Sequence, residues 1–119
     1  MALSALVVDD SEIARMYIMD ILQRIGFAEI TEAENGADGI EKFKQTSPDV
    51  VFLDIEMPVM DGLSAVRKLS GMKGTSKIVM MSSVDRTGVI DDCLLAGADD
   101  YIRKDLDEDV VEKRIRDIL

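Results

Sequence analysis

The chain has 119 residues, with 14 Lys and Arg against 24 Asp and Glu, a formal net charge of −10; one globular domain over 1–119 is expected, and nucleic acid and anionic membrane are poor partners for so acidic a chain. There is no His and one Cys, Cys93, which excludes a His-ligated metal, a His general base, a phosphohistidine on this chain, an internal disulfide and a Cys-based zinc site, and suits a reducing compartment. No apolar run approaches the roughly 18 residues of a membrane span, and the start, Met1-Ala2-Leu3-Ser4, has no basic region, so neither a membrane anchor nor a signal peptide is predicted and a cytoplasmic location is expected.

Two patterns alternate along the chain. Leu3–Val8 is a short apolar run of the kind found in strands covered on both faces. From Ser11 to Ile25, Ala14, Tyr17, Ile18, Ile21, Leu22 and Ile25 recur at three and four, which predicts a helix stopped by Gly26. Glu29–Ala33 alternates and reads as an edge strand, and Gly36 to Gln45 as a short helix ending before Ser47-Pro48. Val50–Leu53 is a second buried strand, followed by a helix over Leu63 to Met72 with Leu63, Val66 and Leu69 on one side. Ile78–Met81 is a third buried strand. Val84 to Ala96 then places Val89, Cys93 and Ala96 on an inward stripe, ending at Gly97, and makes Cys93 a small core residue. Asp99–Arg103 is the other edge strand. In the final helix, Asp107 to Leu119, Val110 or Val111, Ile115 and Ile118 face inward; acids come first and bases later, as the helix dipole favours. Five strands and five helices in strict alternation predict an α/β fold, a doubly wound (βα)5 three-layer sandwich around a parallel sheet.

In such sheets ligands bind beyond the carboxyl ends of the strands. Asp9, Asp10, Ser11 and Glu12 follow the first strand, Asp54 the third, Ser82 and Ser83 the fourth, and Lys104 and Asp105 the fifth. Singly, each has a plain reading: Asp9, Asp10 or Ser11 caps a helix, Asp54 and Ser82 lie in turns, Lys104 is a surface base. Together they put three carboxylates, a hydroxyl and an ammonium at one end of the sheet. Carboxylates so placed repel each other without a cation. An all-oxygen donor set suits Mg²⁺ and phosphate, with Asp54 as a nucleophile that forms an aspartyl phosphate.

The runs Leu6-Val7-Val8-Asp9-Asp10-Ser11, Asp54-Ile55-Glu56-Met57-Pro58-Val59-Met60-Asp61-Gly62 and Ala96-Gly97-Ala98-Asp99-Asp100-Tyr101-Ile102-Arg103-Lys104 resemble the receiver domains of two-component response regulators, over essentially the whole chain and closest in size to the single-domain chemotaxis type. The resemblance implies the strand order 2-1-3-4-5. It implies Asp54 as phosphoacceptor, Asp10 as direct Mg²⁺ ligand, Asp9 as its water-linked neighbour and Glu56 as donor of a backbone carbonyl. It further implies Ser82 as the switch hydroxyl, Tyr101 as the aromatic that turns inward with it, and Lys104 at the phosphate. The donor is then a phosphohistidine on a histidine kinase or histidine phosphotransfer protein, and the output is a protein target on the surface of the fourth helix, fifth strand and fifth helix. Such a domain is a switch, not an enzyme with a separate substrate, and a monomer or a phosphorylation-dependent dimer.

Several features sit beside that pattern. The family usually follows its lysine with a cis proline; here Asp105 follows Lys104, which predicts a trans peptide, since a non-proline cis bond costs roughly 2.5–4 kcal/mol, and leaves Asp105 to cap the last helix with Glu108. Val84 and Glu56 occupy positions that tune dephosphorylation in the family. Ile90, Leu94 and Leu95 form part of the output face with Tyr101, and Asp100 and Arg114 are placed like a salt bridge of dimerising DNA-binding regulators. Three other readings are a receiver from a larger DNA-binding or enzymatic regulator, a pseudo-receiver that only binds, and a small Mg²⁺ phosphatase. The last needs a D-x-D after the first strand, which is absent.

Overall fold

The computed structural model describes residues 3–57, 59–82 and 87–119. The elements run β1 (Ser4–Val8), α1 (Glu12–Ile25), β2 (Glu29–Ala33), α2 (Gly36–Thr46), β3 (Val50–Asp54), α3 (Gly62–Ser70), β4 (Lys77–Ser82), α4 (Thr87–Ala96), β5 (Asp100–Arg103) and α5 (Glu108–Ile118). All four strand pairings are parallel and the sheet order is β2-β1-β3-β4-β5. The chain starts at the sheet's second position, winds to one edge, then crosses back over β1. Right-handed crossovers therefore put helices on both faces, and the order reverses between β1 and β3.

Side chains alternate along each strand, so one strand feeds two cores. Leu6, Val8, Val51, Leu53, Ile78 and Met80 pack with Ile40, Phe43, Val66, Leu69, Ile90 and Cys93 of α2, α3 and α4. Ala5, Val7, Val50, Phe52, Val79, Met81 and Ile102 pack with Ile18, Ile21, Leu22, Val111 and Ile115 of α1 and α5. The choice in the last helix falls to Val111, which is fully buried; Val110 is 45% exposed.

Four details differ from the sequence reading. β3 and β4 extend one residue past their apolar runs, to Asp54 and Ser82, because strand pairing continues there: Asp54 aligns with Met81 and Ser82 with Arg103. Asp99 lies before β5, not in it. Its carboxylate accepts from the Ile78 N–H at 2.8 Å and from Lys73 at 2.7 Å. The third helix stops at Ser70, two residues early, where the Met72 N–H turns back to the Leu69 carbonyl. Asp105 does not cap α5. The N-cap residue is Asp107, and the Asp105 carboxylate is held by Arg103, whose Nε donates at 2.9 Å; that hydrogen bond keeps the Asp105 carboxyl below the usual carboxylate range. No peptide bond among the described residues is cis, so Lys104–Asp105 is trans. The expected start of the fourth helix at Val84 lies outside the described residues, as do Pro58 and Ser83.

Cys93 is fully buried, and burial pushes its thiol up to about 11. Iodoacetamide is therefore expected to leave the folded chain unlabelled and to modify Cys93 only as the chain unfolds. Labelling at the rate of a small free thiol would show instead that α4 opens.

Candidate functional site

Among the described residues, the buried polar or charged side chains are Asp9, Asp54 and Ser82, at 4%, 8% and 3% exposure. All three lie at the carboxyl end of the sheet, where β1, β3 and β4 finish. Buried polar groups need partners and buried charges more so, so their concentration at the switch point marks a site.

The turn after β1 divides its polar residues by role. The cap of α1 is Ser11, whose hydroxyl accepts from the Ala14 N–H at 3.2 Å. Asp9 is tied down on every side. Its N–H donates to the Ala33 carbonyl at 3.1 Å, its Oδ1 accepts from the Ser11 N–H at 2.9 Å, and its Oδ2 accepts from Lys104 at 2.7 Å. Asp10 is exposed. One carboxylate oxygen from each of Asp9, Asp10 and Asp54 lies within 4.8 Å of the others.

Lys104 follows β5 directly, and its N–H donates to the Ser82 carbonyl at 2.8 Å. Its ammonium bridges Asp9 Oδ2 and Asp54 Oδ1, the latter at 3.2 Å. Burial works against its charge, but the hydrogen bonds and charges of Asp9 and Asp54 outweigh that and hold its pKa above the ordinary value. Asp54 goes the other way. Burial pushes its carboxyl up to about 6; Lys104 pulls it down, and the charges of Asp9 and Asp10 add to the rise. One ammonium thus fails to neutralise three carboxylates. Three converging oxygen donors with unmet negative charge, one of them on an exposed side chain, fit Mg²⁺, a hard cation that keeps several waters.

The other expected residues are less tightly drawn in. Glu56 is exposed, two residues beyond β3. Tyr101 is half-buried in β5 against the α2–α4 core. On the expected output surface Leu95 is 88% and Leu94 40% exposed, but Ile90 is buried and belongs to the core. Asp100 and Arg114 pair within the chain at 3.3 Å, where Arg114 also donates to the Tyr101 carbonyl at 2.9 Å and ties α5 to β5.

Three residues given no role of their own in the sequence reading also build the site, two of them within the motif run from Asp54 to Gly62. Asp61 caps α3, accepting from the Ser64 N–H at 2.8 Å. Gly62 packs against the main chain of Asp54 and Ile55. Arg15 donates from Nη1 to the Asp9 carbonyl at 2.6 Å and from Nε to Glu32 at 3.0 Å. The first two carry a signal, an Asp-Gly before an apolar period; the third is a single base inside an amphipathic helix.

The family described as the response regulator receiver domain matches residues 5–116. The chain is 41% identical over 119 residues to the chemotaxis protein CheY of Bacillus subtilis, covering all of this chain and 99% of that protein. It is 36% identical over 119 residues to CheY of Halobacterium salinarum, covering all of this chain and 98% of that one. In three dimensions it is similar to a chain in the crystal structure of the CheX–CheY–BeF3–Mg²⁺ complex of Borrelia burgdorferi, with TM-score 0.90, 30% identity, and coverage of 98% of this chain and 88% of that one.

Proposed function

The chain belongs to the response regulator receiver family, a family of signalling domains and not of catalytic enzymes, and from that premise we propose that residues 1–119 form a phosphorylation-driven switch whose acceptor is Asp54. The observation that carries this reading is the buried Asp54 carboxylate, in reach of Lys104 and of the Asp9 and Asp10 oxygens at the sheet's switch point.

The chemistry follows from those positions. A carboxylate attacks phosphorus only when ionised, and a pKa of about 6 leaves Asp54 mostly ionised at neutral pH. Membership of this family implies a phosphohistidine donor, and because the chain has no His that donor lies on a separate kinase or phosphotransfer protein. Its P–N bond breaks as the bond to an Asp54 oxygen forms; the bonding pair stays on the imidazole nitrogen, which takes a proton from solvent and leaves as neutral imidazole. Lys104, already at Asp54 Oδ1, follows the phosphoryl oxygens. Asp10, Asp54 and the Glu56 main-chain carbonyl would hold Mg²⁺, with Asp9 as their neighbour, and the ion would supply the positive charge that an arriving phosphoryl group needs. The engagement of Asp9 by Ser11 and Lys104 supports this division, because Asp10 is the acid left to bind directly.

The phosphoryl group brings about −1.5 to −2 charge. The Ser82 hydroxyl donates to it and Tyr101 moves with that change, altering the α4–β5–α5 face, where Leu94, Leu95 and Val110 are exposed, for a protein target in the cytoplasm. No helix among the described residues is long and apolar enough to cross a membrane.

The test is chemical trapping. After acetyl phosphate and Mg²⁺, borohydride reduction should mark Asp54 alone, and EDTA should prevent it. Reduction at another residue would move the acceptor, and no reduction anywhere would favour a module that only binds.

A further inference from the structure

Asp9 has a fourth contact, and it is the one that bears on Asp10. Its carbonyl oxygen accepts from Arg15 Nη1 at 2.6 Å. That carbonyl belongs to the planar peptide joining Asp9 to Asp10, so a donor fixed on it fixes the orientation of the Asp10 main chain. The guanidinium is itself immobilised: Nε donates to Glu32 Oε1 at 3.0 Å and the side chain is only 14% exposed. Glu32 lies in β2, paired in register with Val7. One planar fork therefore joins α1, the acidic turn and the edge strand.

We propose that Arg15 is a positioning residue for Mg²⁺, holding the Asp9–Asp10 peptide so that the exposed Asp10 carboxylate converges with that of Asp54. This rests on the metal-site reading above. Lysine is not an equivalent: an ammonium is a point donor on a flexible stem and cannot hold both acceptors in one plane. Glu32 acts through Arg15, and a neutral Gln there keeps the acceptor for Nε.

The sign of the effect separates this role from two others. A cation near the site that acted by charge alone would repel Mg²⁺, so its removal would tighten binding. A residue that only stabilised the fold would lower the melting temperature and leave the affinity of the folded protein unchanged. Positioning predicts weaker binding, by about tenfold for Arg15→Ala, the low end for loss of a group that orients a metal ligand. Arg15→Lys should fall between, Glu32→Gln should match the native chain, and Glu32→Ala, an exposed substitution that spares the core, should weaken binding a few-fold.

The measurement is Mg²⁺ titration by calorimetry on the full chain, with melting curves in parallel and acetyl phosphate labelling rates at low and saturating Mg²⁺. The expected result is a raised Kd in Arg15→Ala, with the labelling rate recovering to within about twofold of native at saturating Mg²⁺. An unchanged or lowered Kd in both Arg15→Ala and Glu32→Ala overturns the inference and leaves the metal-site reading intact. Absence of Mg²⁺ binding by the native chain at millimolar concentration overturns both.

Discussion

In EDTA at pH 8, Asp54→Asn is expected to be more stable than the native chain by about 3 kcal/mol, near 10 °C in Tm, while accepting no phosphoryl group. Burial is the leading reason: it pushes the Asp54 carboxyl from an ordinary 3.8 up to about 6, against the pull of Lys104. The folded chain therefore binds this proton more tightly than the unfolded chain. Stability from the group is fully present below 3.8 and is lost as pH rises through 6. Asparagine copies the shape of the neutral acid and keeps an acceptor for Lys104, so it escapes that loss. The two proteins should be about equally stable at pH 4, diverge from there, and run parallel above about pH 7. Mg²⁺ should close much of the gap by stabilising the folded native chain alone. Urea titrations across this range check it. A less stable variant at pH 8, or a difference independent of pH, would show that Asp54 is not held against its charge.

The fold was legible because each element carries its own period. Apolar runs too short for helices and stripes at three and four are local signals, and the paired faces of β1 and β3 turned both into core. Strand order is not local. It depends on which parallel edges meet, and here it came from the likeness of three motifs. The candidate site was half legible for the same reason. Asp9, Asp10, Asp54, Ser82 and Lys104 each end or closely follow a predicted strand, so the alternation alone puts them at one end of the sheet. What distinguishes Asp9 from Asp10 is not in the run. It is the Ser11 N–H and the Lys104 ammonium, the second 95 residues away. Arg15 was hidden because its acceptors are a main-chain carbonyl six residues back and a carboxylate 17 residues on. Asp105 misled because a capping pattern holds only if the chain is free to form it, and Arg103 holds that carboxylate instead.

Gly62→Ala should damage both stability and function. Gly62 opens α3, is buried, and donates its N–H to the Ile55 carbonyl at 2.8 Å. A Cβ there would press on the Asp54 carbonyl oxygen and lie 2.7 Å from Ile55 Cα and 3.1 Å from the Ile55 oxygen. These are main-chain atoms of the strand end that carries the acceptor, so no flexible side chain can give way. Either α3 lifts from β3 and the N–H loses its partner, or Asp54 is pushed toward Lys104 and Asp9. Overpacking of this kind costs about 1–3 kcal/mol, and the upper end is expected with no soft neighbour. Because the strain falls on the Asp54 main chain, labelling by acetyl phosphate should slow by about 10²-fold even in the folded fraction. Gly88→Ala is the matching control. Gly88 lies in α4 with nothing within 4 Å of its Cβ position, so the same methyl should stabilise by about 0.5–1 kcal/mol through helix propensity. Urea midpoints that move in opposite directions for the two variants, with labelling lost only in the first, would tie the Asp-Gly of the motif to the placement of Asp54. A Gly62→Ala protein within about 0.5 kcal/mol of native, the range of ordinary surface changes, would show that α3 and the strand end yield more easily than their packing implies.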